Sequence, residues 1–187
     1  MSNPTVIEDG ERIVGANVYL RLVEMRDCGD QYRRWLEDPE VNRFLETRWS
    51  KHSDSSIREF VGEMRQSPDD YLFAIVETES ERHVGNIKLG PVNSVHRHAD
   101  VSYFIGERDA WGKGIATEAI RLATRFGFER LALHRVQAVV NSANLGSAGA
   151  LERAGFVREG FAREKLWTGE GWGDQVSYGI VAAPGPE

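Results

Sequence analysis

The sequence predicts an α+β fold built on a mixed, mostly antiparallel sheet of seven strands. Three observations carry that reading. Between residues 71 and 105, three strand-like runs follow one another with turn chemistry between them, as in an antiparallel meander. After residue 105 the pattern switches to helix, returns to strand at Arg135–Val140 and goes back to helix, so one crossover joins two strands. A length of 187 residues suits one domain, here residues 17–182, with 1–16 as a loose lead-in and 183–187 as a tail.

The elements follow in order. Asn17–Val23 alternates Val18, Leu20 and Leu22 on one face and reads as the first strand. A short helix over Asp30–Glu37 is stopped by Pro39. The stretch Asp38–Ser50 is irregular and rich in large side chains. A helix starts near Ser53–Ser56, where hydroxyls and a carboxylate can cap free N–H groups. Its apolar positions Ile57, Phe60, Val61 and Met64 share one face. The meander is Tyr71–Glu77, His83–Leu89 and Ala99–Ile105. In the helix that follows, Ala116, Ala119, Ile120, Ala123 and Phe126 form the apolar face; Thr117, Glu118, Arg121, Thr124 and Arg125 form the other. After the strand Arg135–Val140 comes a helix near Ser147–Ala154, with Gly155 placed for a left-handed cap. The strands Phe156–Lys165 and Gln175–Val181 close the chain.

Composition narrows the function. Lysine plus arginine number 23 against 29 acids, a net charge of −6, which argues against nucleic acid and weakly favours a cationic partner such as a protonated amine. No run of about 18 apolar residues is present, so no membrane span is expected, and the N-terminus lacks the pattern of a signal peptide. One cysteine, Cys28, allows no internal disulfide and points to the cytoplasm. Flanked by Asp27 and Asp30, its thiol would be raised in pKa and inert.

The informative stretch runs from Val101 to Ala119, where a strand ends, a glycine-bearing loop follows and a helix begins. Free N–H groups at a helix start favour anions, and glycines let backbone approach phosphate. The spacing from Gly106 to Lys113 is one residue too long for a P-loop, and Gly112-x-Gly114 lacks the third glycine of a dinucleotide fingerprint. Trp111-Gly112-Lys113-Gly114-Ile115-Ala116-Thr117-Glu118-Ala119, with Asn144-Leu145-Gly146-Ser147 and Ala154-Gly155-Phe156 downstream, resembles the GNAT superfamily of acetyl-CoA-dependent N-acetyltransferases. The branch it resembles includes the ribosomal-protein N-terminal alanine acetyltransferases.

The resemblance implies helices on both sheet faces and acetyl-CoA lying in a V-shaped split between the fourth and fifth strands, Ala99–Ile105 and Arg135–Val140. The pyrophosphate would rest on Gly112, Lys113, Gly114, Ile115, Ala116 and Thr117. The pantetheine arm would run beside Phe104, Ile105 and Gly106, with Asn144 and Ser147 reaching it. Arg153 would meet the adenosine phosphates. Trp111 departs from the Gln or Arg found there in many relatives. A backbone N–H near Phe104 or Ile105 would polarise the thioester carbonyl.

For the base that accepts the amine proton, Asp100 comes first and Glu46 second. Ser147 is the matched proton donor, with Tyr103 and Tyr178 behind it. His134 reads as structural, and His96 with His98 do not make a metal site. The acceptor wall would hold Arg43, Phe44, Arg48 and Trp49, the arginines gripping a carboxylate or phosphate. The expected partner is a small-molecule amine or a peptide N-terminus, bound by a monomer or homodimer. The other readings are a non-catalytic acyl-CoA-binding module on the same fold and a nucleotide-binding protein.

Overall fold

A computed structural model describes residues 6–183. The parts of the lead-in and tail expectations that concern residues 1–5 and 184–187 lie outside it. One sheet of eight strands runs through the molecule, one more than the sequence predicts, in the order β1-β2-β3-β4-β5-β6-β8-β7. The additional strand is β1, Ile13–Val14, which pairs antiparallel with β2, Val18–Leu22. Two residues are too few to show alternation, so they were indistinguishable from lead-in. They are fixed by Glu118, whose carboxylate accepts from the N–H of Ala16, from the N–H of Asn17 at 3.0 Å and from Asn17 Nδ2 at 2.9 Å.

The meander is β3 (Tyr71–Glu77), β4 (His83–Leu89) and β5 (His98–Ile105), antiparallel throughout. Strand β6 (Arg135–Asn141) pairs parallel with β5 but only over His98–Asp100 against Arg135–Gln137. Beyond Asp100 the two strands separate. The hairpin β7 (Val157–Trp167) and β8 (Trp172–Val181) completes the sheet through β6–β8 pairing, and it is longer than expected at its turn end.

Helices cover both faces. On one lie α1 (Asp30–Glu37), α2 (Pro39–Asn42) and α3 (Asp54–Gln66). Pro39 does end α1, and it also opens α2, because its fixed φ and missing N–H suit a first helical position. Ser53 caps α3, its Oγ accepting from Ser56 N at 3.1 Å. Ile57 and Val61 are buried, whereas Phe60 is 40% exposed. On the other face lie α4 (Ile115–Glu129) and α5 (Leu145–Ala154). The sheet supplies α4 with Leu20, Phe73, Ile87 and Val136, all fully buried. Thr117 and Thr124, which the sequence placed on a polar face, are buried, and α5 packs against α4. Helix α5 starts two residues earlier than expected, because Asn144 caps it by accepting from Ser147 N at 3.1 Å. Gly155, at φ +102°, closes it in the left-handed conformation as predicted.

Candidate active site

The divergence of β5 from β6 opens a cleft of about 1170 Å³ between the two halves of the sheet. Its walls come from β4, β5, β6, the loop before α4, the start of α5 and the segment 40–60.

Strand β5 contributes both faces and an edge. Ala99 and Val101 pack into the core under α4, while Phe104 packs on the side of α1 with Tyr32 and Trp35. Alternation therefore sends Asp100, Ser102 and Phe104 to the α1 side. Gly106 N donates to Val84 O at 2.8 Å, and Gly90 N donates to Asp100 O at 2.8 Å. In an antiparallel ladder these even-numbered residues exchange bonds with β4, so the N–H groups of Tyr103 and Ile105 face the edge that β6 has left. Gly106 is not on the cleft lining: its N–H is used by Val84, and a Cβ there would collide with the Trp35 ring.

The loop before α4 is shaped by two glycines in the left-handed region, Gly112 at φ +73° and Gly114 at φ +81°. A Cβ on either would meet nothing within 4 Å, so both open onto space. With Trp111, Ile115, Ala116 and Thr117 they line the cleft. The Thr117 hydroxyl is buried and has no hydrogen-bond partner. An open glycine turn, a helix start and an orphaned hydroxyl together fit a phosphate group. Lys113 is exposed and off the lining. The Trp111 indole N–H donates to Ile105 O at 2.9 Å, so it ties the loop to the strand.

Across the opening, Tyr103 OH and Ser147 Oγ lie 2.7 Å apart. Burial pushes the Tyr103 hydroxyl up to about 12, with the bond to Ser147 acting the other way. Asn144, Ser147 and Arg153 all line the cleft. Arg153 has no carboxylate within salt-bridge distance among the described residues. Tyr178 is off the lining, its hydroxyl donating to Glu152 at 3.2 Å, and His134 is exposed at the far end of β6.

The acceptor wall is partly as expected. Arg43, Phe44 and Glu46 line the cleft, with the Arg43 guanidinium 5.1 Å from the Phe44 ring centroid. Arg48 and Trp49 do not. Arg48 is spent on the fold, donating to Leu45 O and to Trp167 O, each at 3.0 Å, and stacking on Trp49. Asp100 sits at the paired base of the split, opposite Gln137, and is solvent-exposed on the α1 side without lining the cleft. Sequence reasoning missed Tyr32, Lys51, His52, Phe60, Asn86 and Lys88, all cleft residues. Polar Asn86 and Lys88 alternate with apolar neighbours in β4, a signal that could have marked them. Among the described residues no cluster of three or more His, Cys, Asp or Glu is placed to hold a metal, and no helix is long and apolar enough to cross a membrane.

A splayed strand pair with an open glycine loop and hydroxyls at its mouth is the arrangement of an acyltransferase fold. The Acetyltransferase (GNAT) domain profile matches residues 17–157, and the chain belongs to this family of N-acetyltransferases. It is 30% identical over 174 residues to Bacillus subtilis Probable N-acetyltransferase YjcK, covering 89% of this chain and 95% of that one. Escherichia coli spermidine N(1)-acetyltransferase is 32% identical over 144 residues, 75% of this chain and 69% of the enzyme. Among solved structures, Mycobacterium smegmatis RimJ in complex with CoA-disulfide superposes with a TM-score of 0.78 at 25% identity, covering 88% of this chain and 82% of that one.

Proposed function

We propose that this enzyme binds acetyl-CoA in the β5–β6 split and transfers its acetyl group to a compact primary amine by direct attack. The amine belongs to a small molecule or a peptide N-terminus, and the setting is the cytoplasm. The observation that carries the reading is the opening of the split onto the Gly112–Gly114 turn at one end and the Tyr103–Ser147 pair at the other.

Acetyl-CoA supplies the activated thioester; the chain supplies position and proton handling. Backbone N–H groups from Gly112 to Thr117, with the Thr117 hydroxyl and Arg153, hold phosphate. The Ile105 N–H, facing the vacated edge, is placed to polarise the carbonyl. The amine nitrogen forms the C–N bond as C–S breaks. The nitrogen gives up its proton to Asp100 through water, which its exposed position on the α1 side supplies, and the sulfur receives one from Ser147, backed by Tyr103. Glu46, on the acceptor wall itself, is the competing base.

The acceptor wall carries Glu40 and Glu46 against Arg43 and Lys51, while Lys88 is paired with Asp70 at 3.0 Å. A wall with no excess of acids supports a compact amine over a polycation. Thiol release from acetyl-CoA across peptides, amino sugars, polyamines and aminoglycosides tests the reading. Release with compact amines supports it. Acetyl-CoA binding with no release on any amine would leave a binding module.

A further inference from the structure

The floor of the cleft on the α1 side carries two neighbouring polar groups whose donors reach no protein acceptor. Asn86 is 2% exposed, lines the cleft beside its register partner Phe104, and its Nδ2 has no hydrogen-bond partner. Its orientation is set from behind. His83 Nε2 lies 2.8 Å from Asn86 Oδ1 and 3.0 Å from Gly85 O. A carbonyl only accepts, so Nε2 carries the hydrogen and the Asn86 oxygen faces the ring. The amide Nδ2 is thereby turned away from the histidine.

The second group is the Tyr32 hydroxyl. Tyr32 is 4% exposed, lines the cleft and tilts against Phe104 at 6.0 Å between centroids. Its hydroxyl, beside the Asn86 amide, donates to no acceptor among the described residues and opens onto the cavity. Burial pushes it up to about 12, with the neighbouring Asn86 amide drawing it down, so it stays a donor at working pH. Buried donors without partners cost stability and are uncommon. The Asn86 amide is such a donor, and with the Tyr32 hydroxyl opening onto the cleft beside it, the pair is explained by a ligand.

We infer that Tyr32 and Asn86 select the acceptor by demanding an oxygen: the Tyr32 hydroxyl and the Asn86 amide, its orientation held by His83, both donate to it. The acceptor is then a primary amine bearing a carbonyl, carboxylate or hydroxyl near its nitrogen, as in an amino acid amide, a peptide N-terminus or an amino sugar. A protonated polyamine has only N–H donors and can accept from neither group. The inference rests on the acetyl-transfer reading above.

The test uses Tyr32→Phe and Asn86→Leu with alanine amide, serine amide and glucosamine, each paired with an alkylamine of matching skeleton and no oxygen. Tyr32→Phe is expected to raise the KM of the oxygen-bearing acceptors about tenfold, with the alkylamines and acetyl-CoA unchanged. The melting temperature should hold in Tyr32→Phe, since the hydroxyl donates to no protein acceptor and opens onto the cleft. A purely structural pair would instead lower it and shift both acceptor series equally. Equal losses on both series, or no change, overturn the inference. So does a wild type that turns over alkylamines or diamines in preference to their oxygen-bearing partners, while leaving acetyl transfer intact. Thiol release with no amine at all overturns both readings.

Discussion

At Gly114 the backbone conformation and the vacant space above it make one argument. With φ at +81° a β-branched residue is strained, and its side chain would project where nothing now stands within 4 Å. Gly114→Val is therefore expected to fold and to lose cofactor binding. Saturating acetyl-CoA should stabilise the wild type by about 3 kcal/mol, several degrees in a thermal shift, and the variant not at all. An unchanged shift would remove the loop from the site. The proton-handling residues separate by kinetics. Asp100→Asn and Ser147→Ala should each lower kcat about 10²-fold with little change in the acetyl-CoA KM. If Asp100→Asn keeps full turnover from pH 6 to 9 while Glu46→Gln loses it, the base is the carboxylate on the wall. Arg43, stacked on Phe44 and free of any acidic partner among the described residues, should act on the acceptor alone. Arg43→Ala is expected to raise the KM of carboxylate-bearing amines and to leave acetyl-CoA affinity as it was.

Between elements, the segment over residues 43–52 is held less by its one short helical turn than by what it grips. Arg48 reaches from the turn Glu46–Trp49 to Trp167 O at the end of β7, and Trp49 lies against Gly169 in the β7–β8 turn. This clasp sets the height of the wall that carries Arg43, Phe44 and Glu46. Arg48→Ala should thus loosen both ends together, seen as faster hydrogen exchange across 43–52 and 167–171. Arg48→Lys should not rescue it, because an ammonium lacks the planar fork that spans two carbonyls. Protection unchanged at the hairpin in Arg48→Ala would mean the wall stands alone. The same element shows why Arg48 was misread. Arginine among aromatics has one appearance in sequence, whether it faces an anion or two main-chain carbonyls from distant segments.

Over the whole molecule, what was legible followed the periodic signals. The meander, the crossover, the glycine turn and the Gly155 cap are local patterns whose physics is complete within a few residues. The split itself was legible only through family resemblance, because parallel pairing that stops after Asp100 leaves no mark in either strand. Burial of Thr117 and Thr124, the anchoring of the β1–β2 turn by Glu118 and the packing of Tyr32 beside the His83–Asn86 pair depend on contacts far apart in sequence. That last set also gives the molecule an acid-sensitive core. His83 is packed against Trp35 and faces Asn86, Gly85 O, Asp27 and Arg21. Burial lowers its pKa from 6.5, and Asn86 and Asp27 only partly oppose this. Burial would raise Asp27, but its bonds to Arg21 and to the Glu24 N–H outweigh that and hold it below 3.8. Both folded-state values lie below their unfolded ones, so in each window the unfolded chain binds the extra proton. Stability is complete above the unfolded value and is lost as pH falls toward the folded one. The urea midpoint should be level from pH 8 to 7, fall below about pH 6.5 as the unfolded imidazole titrates, and fall again below about pH 4. The slope in the first window is at most about 1.4 kcal/mol per pH unit, that of one proton. His83→Gln keeps a polar side chain beside Asn86 but takes up no proton, so it should flatten the first window and leave the second in place. A midpoint that declines equally between pH 7 and 5 in both proteins would assign the acid sensitivity elsewhere.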